Sequence, residues 1–96
     1  MKEKVQIIGS VSGLPRDVAV SNFNDSKKIL EDFGYEVVNP VELVPEDTPW
    51  HTAMKICIKS MMDMDAVAIQ PDFTSSKGAY IEAELASNLH MKIIWL

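Results

Sequence analysis

Asp65-Ala66-Val67-Ala68-Ile69 is the stretch that decides the fold. Its apolar residues follow one another without alternation, so a strand made of them needs cover on both faces. That is the property of a strand inside a parallel sheet layered by helices. Downstream, Gln70-Pro71-Asp72-Phe73-Thr74-Ser75-Ser76 reads as a loop, and a helix is predicted from about Gly78 to His90. In that helix Ala79, Ala83, Leu85, Ala86 and Leu89 supply the packing face. Lys92-Ile93-Ile94-Trp95-Leu96 then reads as a further strand.

Upstream the alternation continues. Thr48-Pro49 predicts an N-cap with proline at the first helical position. The helix that follows runs from Trp50 to about Met62, with Ala53, Met54, Cys57, Ile58 and Met61 inward. Val41 to Asp47 reads as an acidic, proline-containing loop in which Glu42, Glu46 and Asp47 are solvated. Tyr35-Glu36-Val37-Val38 is a strand closed by Asn39-Pro40. Before it, Ala19, Phe23, Leu30 and Phe33 fall on one helical face, and Gly34 ends that helix. Val5-Gln6-Ile7-Ile8 is the first strand, stopped by Gly9-Ser10.

Strands alternating with helices imply right-handed crossovers. The expectation is therefore one α/β domain over residues 1–96, a three-layer sandwich with a short parallel sheet. Its predicted strand order is 2-1-3-4, a truncated flavodoxin-like, Rossmann-like arrangement. The switch point falls between the first and third strands, where such sheets bind ligands. Two loops meet there: Gly9 to Arg16, and Gln70 to Gly78.

Composition narrows the function classes. Hydrophobic residues make up 47% and charged residues 24%, which is globular. The net charge of −5 leaves no basic footprint for a nucleic-acid backbone. No apolar run approaches the roughly 18 residues that span a bilayer, and Lys2-Glu3-Lys4 leads into a strand rather than a signal-peptide core. With a single cysteine, Cys57, no intrachain disulfide forms. A cytoplasmic protein without a cofactor or metal is expected. A domain this small gains from self-association, so a homo-oligomer is expected too.

The first loop, Gly9-Ser10-Val11-Ser12-Gly13-Leu14-Pro15-Arg16, combines glycines that allow close backbone approach with Ser10, Ser12 and Arg16, which suit phosphate or sugar oxygens. Ordinary turn chemistry accounts for the same residues, and the glycine spacing fits neither a Walker A loop nor a dinucleotide fingerprint. In the second loop Ser75 or Ser76 is a natural N-cap that leaves the next amides open to an anion. Glu82 lies one turn beyond Gly78 on the same helical face. Helical side chains tilt toward the N-terminus, so its carboxylate is aimed at the ligand space, and Gly78 leaves the way clear. The plainer alternative is a surface glutamate paired with a lysine.

The pattern Ser76-x-Gly78-x-x-x-Glu82-x-x-x-Ala86 resembles the active-site signature of the nucleoside 2-deoxyribosyltransferase-like superfamily, which includes deoxynucleoside monophosphate N-glycosidases. Ile8-Gly9-Ser10-Val11-Ser12-Gly13 resembles its first loop, and Asp65-Ala66-Val67 the strand before its catalytic loop. Ser12-Gly13-Leu14-Pro15 and Asp47-Thr48-Pro49-Trp50 resemble a branch of small phage and bacterial members. The resemblance implies a nucleoside or nucleotide ligand. It also implies that Glu82 is a nucleophile on the anomeric carbon, and that Ser76 helps hold the 5′ end. Two positions depart from that pattern. Cys57 stands where the superfamily usually has an aspartate, and Gln6 where it tends to have a tyrosine; Asp63 and Asp65 are expected at the far edge of the sheet from Glu82. A nucleotide-binding module without catalysis, or an interaction scaffold, are the alternatives.

The remaining polar and soft residues read more simply. Met54, Met61, Met62 and Met64 suit adaptable core or interface packing. Trp50 suits the core, a subunit boundary or a cover over the site. His51 and His90 lack metal-ligand spacing to each other or to Cys57 and read as surface residues.

Overall fold

Strand β1 (Lys4–Ile8) lies inside the sheet, with Val5, Gln6, Ile7 and Ile8 all buried. The computed structural model describes residues 2–96. After β1 come helix α1 (Arg16–Asp32), strand β2 (Glu36–Val38) and a short helix α2 (Pro40–Leu43). Helix α3 (Trp50–Met61), strand β3 (Ala66–Ile69), a 3-10 turn (Pro71–Ser75), helix α4 (Lys77–Asn88) and strand β4 (Lys92–Trp95) complete the chain. The four strands form one parallel sheet in the order β2-β1-β3-β4. This is the expected order, so the switch point lies between β1 and β3.

Alternation along the two central strands sorts the core into two clusters. Val5, Ile7, Ala66 and Ala68 pack with Phe23 and Leu30 of α1. Ile8, Val67 and Ile69 pack with Met61 of α3 and with Ala79, Ala83 and Ala86 of α4. Each fully buried large side chain contributes about 1.5–3 kcal/mol, and Phe23, Ile7, Ile8, Leu30 and Met61 are all in that state. All four residues of β3 are buried, as its unbroken apolar run requires.

Helix ends are set by backbone hydrogen bonds. At the end of α1, Gly34 adopts φ +94°, its N–H donates to Glu31, and the Tyr35 N–H donates to Leu30. This is a Schellman closure, and it explains why glycine stands at that position. The end of α4 repeats the pattern with His90 in the left-handed place, at φ 55°.

Several expectations need correction. Residues 41–47 are not loop throughout: Asn39 caps α2 by accepting from the Val41 N–H, with Pro40 at the first position. Pro49, not Thr48, caps α3. Phe33 lies beyond the last turn of α1 and is 79% exposed, while Ser26 takes a place on the buried face. Leu89 is likewise exposed, because it caps α4 instead of continuing its apolar stripe.

Candidate functional site

A cavity of about 260 Å³ opens at the switch point, beyond the carboxyl end of β1. Gly9, Val11 and Ser12 line it from the first loop, and Glu82 lines it from α4. The two expected segments therefore do meet across one crevice. Cys57 of α3, Arg16 of α1, Ser76 and Gly78 are also among its walls.

Glu82 is buried, with 6% of its surface exposed, yet it is one of the cavity's walls. Among the described residues its carboxyl makes no side-chain hydrogen bond and no ion pair. Losing water without gaining a partner disfavours the charged form, and burial pushes its pKa up to about 7. Cys57 is the neighbour it acts upon. Burial first, and the Glu82 charge second, push that thiol up to about 12. At neutral pH the cavity holds a thiol and a carboxyl that is part ionised.

Ser76 is the N-cap of α4: its hydroxyl oxygen accepts from the Ala79 N–H at 3.3 Å. The hydroxyl hydrogen is left to donate, and the first-turn amides of Lys77 and Gly78 have no place in the helical ladder. Gly78 does something the sequence did not disclose. A β-carbon there would stand 2.8 Å from Met54 Sδ and 3.5 Å from Trp50 Nε1. The missing side chain lets α3 and α4 close on each other, and Trp50 and Met54 become cavity walls. The Lys77 ammonium lies 5.1 Å from the Trp50 ring centroid. Of the readings open for Trp50, a cover over the site fits this placement.

The first loop divides into binding wall and structural tie. Ser12 and Gly9 face the cavity. Ser10 is turned away from it: its hydroxyl donates to the Asp72 carbonyl at 3.2 Å, and its N–H donates to Asp72 Oδ1 at 3.3 Å. Gly13, at φ +87°, shapes the exposed turn and is not a wall. Arg16 reaches the wall but is already engaged, donating to the Val41 carbonyl at 3.1 Å with Glu46 3.9 Å away. It thereby holds the α2–α3 segment, whose Val41, Val44 and Thr48 also line the cavity. The sequence reading missed that segment. The signal was present in Asn39-Pro40, a cap followed by proline.

Gln6 is wholly buried on the α3–α4 side of β1, where its amide donates to the Cys57 carbonyl at 2.9 Å. Its Oε1 is a buried acceptor without a donor. Asp65 accepts from the Lys4 N–H at the amino end of the sheet, away from the cavity as expected. Among the described residues no group of three or more His, Cys, Asp or Glu side chains could hold a metal ion. Among the described residues no helix is long and apolar enough to cross a membrane.

Fold and site together define a class: a small parallel α/β domain whose switch-point cavity holds one buried, unpaired carboxyl. The chain belongs to the family described as a domain of unknown function, DUF4406, whose model matches residues 3–95. Among curated proteins none matches it.

Proposed function

We propose that this protein binds a nucleoside or nucleotide in the switch-point cavity and cleaves or transfers its N-glycosidic bond, with Glu82 as the nucleophile. One observation carries the reading: a buried carboxyl with no partner faces a glycine-serine loop across a cavity of ligand size. Burial of an unpaired carboxyl works against stability, so a site that keeps one has a use for it. The resemblance of Ser76-x-Gly78-x-x-x-Glu82 to the nucleoside 2-deoxyribosyltransferase-like signature supplies the reaction.

In that reaction the Glu82 carboxylate attacks the anomeric carbon of the deoxyribose as the bond to the base breaks. Water, or a second base, then displaces the glutamyl ester. The Ser76 hydroxyl and the first amides of α4 hold the sugar's 5′ oxygen or a 5′ phosphate, as helix N-termini do. Ser12 and the Gly9 backbone bound the sugar on the opposite wall. The work is done in the cytoplasm, by a homo-oligomer; exposed Trp95 and Tyr80 are apolar surface for self-association.

The test is incubation with each deoxynucleoside and its 5′-monophosphate, followed by chromatography for free base. Release that disappears in Glu82→Gln supports the assignment. Release that persists in that variant removes Glu82 from the chemistry.

A second reading is favoured by Gln6 and Cys57, neutral side chains at positions where the resembled proteins carry a tyrosine and an aspartate, respectively. On that reading the cavity binds a nucleotide without turning it over. Ligand-dependent rise of the melting temperature, with no free base after prolonged incubation, is its signature.

A further inference from the structure

We infer that the substrates of this site are N-glycosides whose base already carries a positive charge, such as N-alkylpyridinium or N7-alkylated purine glycosides. The inference rests on the proposed glycosidic-bond reading and narrows its substrate class.

A neutral base leaves a sugar as a poor anion unless a general acid protonates it, and that assistance is worth about 10²–10⁴ in rate. The titratable side chains that line the cavity with Glu82 are Cys57 from α3, Arg16 from α1 and Glu46 from the α2–α3 segment, and the Lys77 ammonium lies outside this lining, 5.1 Å from the Trp50 ring centroid. Cys57 is a buried thiol and holds its proton. Arg16 is tied to the Val41 carbonyl, to which its guanidinium donates. The Glu46 side chain is 64% exposed and lies 3.9 Å from Arg16, so it sits in solvent on the rim, paired away from the leaving group. Gln6, beneath Cys57, offers an amide. The cavity has a nucleophile and no acid to serve the leaving group.

A cationic base removes that requirement. When the bond from C1′ to the base nitrogen breaks, its electron pair neutralises the positive charge, and the base departs neutral without a proton. Glu82 Oε forms the new bond to C1′. Water then attacks C1′, the electron pair of the ester bond returns to the carboxylate, and one proton is released to solvent. The electrostatics agree with this choice. Glu82 has no cationic partner among the described residues, so a positive base beside it supplies the missing counter-charge.

The test compares 7-methyl-2′-deoxyguanosine with 2′-deoxyguanosine, each corrected for spontaneous base loss, on the wild-type protein and on Glu82→Gln. Below the pH at which the methylated purine loses its own N1 proton, turnover of the methylated nucleoside should exceed that of its neutral parent by at least about 10²-fold and depend on Glu82. With nicotinamide riboside, whose ring charge does not titrate, the rate should rise to a plateau with pH without a falling limb. Turnover of 2′-deoxyguanosine within about tenfold of the methylated compound, or a bell-shaped profile with nicotinamide riboside, shows that an acid is present. Either result overturns the inference and leaves the glycosidic reading standing. Failure to cleave both 7-methyl-2′-deoxyguanosine and nicotinamide riboside overturns the inference, and the glycosidic reading falls with it only if no deoxynucleoside or 5′-monophosphate releases base.

Discussion

The Gln70 side chain lies across the space that a side chain on Gly9 would need. A β-carbon at Gly9 would stand 2.8 Å from Gln70 Cδ and 3.2 Å from its Cβ. Gln70 is not free to yield. It is buried, its N–H donates to the Ile8 carbonyl, and its Oε1 accepts from Ser26 Oγ at 2.8 Å. The floor of the cavity is thus a glycine pressed against a pinned amide. Gly9→Ala is expected to cost about 1–3 kcal/mol of stability through overpacking, measured by urea denaturation. Adding Gln70→Ala should recover part of the loss caused by the clash; a double variant whose losses merely add would show that the two residues do not compete for space.

The pH dependence of stability should carry the mark of Glu82. Its folded pKa of about 7 lies above the ordinary 4.5, so between those values the native state holds the extra proton. Stability therefore falls as pH rises through that window, and the loss is complete above about pH 7. A displacement of that size is worth about 3 kcal/mol. Glu82→Gln should be the more stable protein at pH 8 by up to that amount, with the difference gone at pH 4. Parallel urea titrations at the two pH values decide it, and equal pH dependence in both proteins would contradict the burial argument.

Cys57 should behave as an inert thiol. With its pKa pushed up to about 12, the thiolate fraction at pH 8 is about 10³-fold below that of an ordinary cysteine. Iodoacetamide labelling of the native protein should be slower than labelling in urea by at least that factor. Native labelling at the rate of a free cysteine would mean that the cavity floor is open to water.

His90 holds φ 55°, a conformation that disfavours residues with a β-carbon. Its position at the close of α4 is the one glycine fills after α1. His90→Gly is expected to stabilise by about 0.5–1 kcal/mol, seen as a rise of a few degrees in melting temperature. A lower melting temperature would show that the imidazole makes a compensating interaction.

The alternation of apolar runs determined the layered α/β architecture and the strand order, because periodicity within each segment states which faces must be covered. Residues at segment ends were harder to read. Phe33 and Leu89 keep the helical spacing, but each lies at or beyond the last turn and points outward. Glu82 was legible as a carboxylate aimed up the helix because that direction follows from helix geometry alone.

Other features were decided only when distant segments came together. Ser10 and Ser12 look alike in the chain, yet one bonds Asp72 and the other faces the cavity. The role of Gly78 depends on Met54 and Trp50, more than twenty positions away. The unpaired state of Glu82 is likewise set by what α1, α3 and the first loop leave beside it. Local order follows from the spacing of neighbours along the chain. The cavity and its charge follow from packing between elements whose contacts no short window of residues contains.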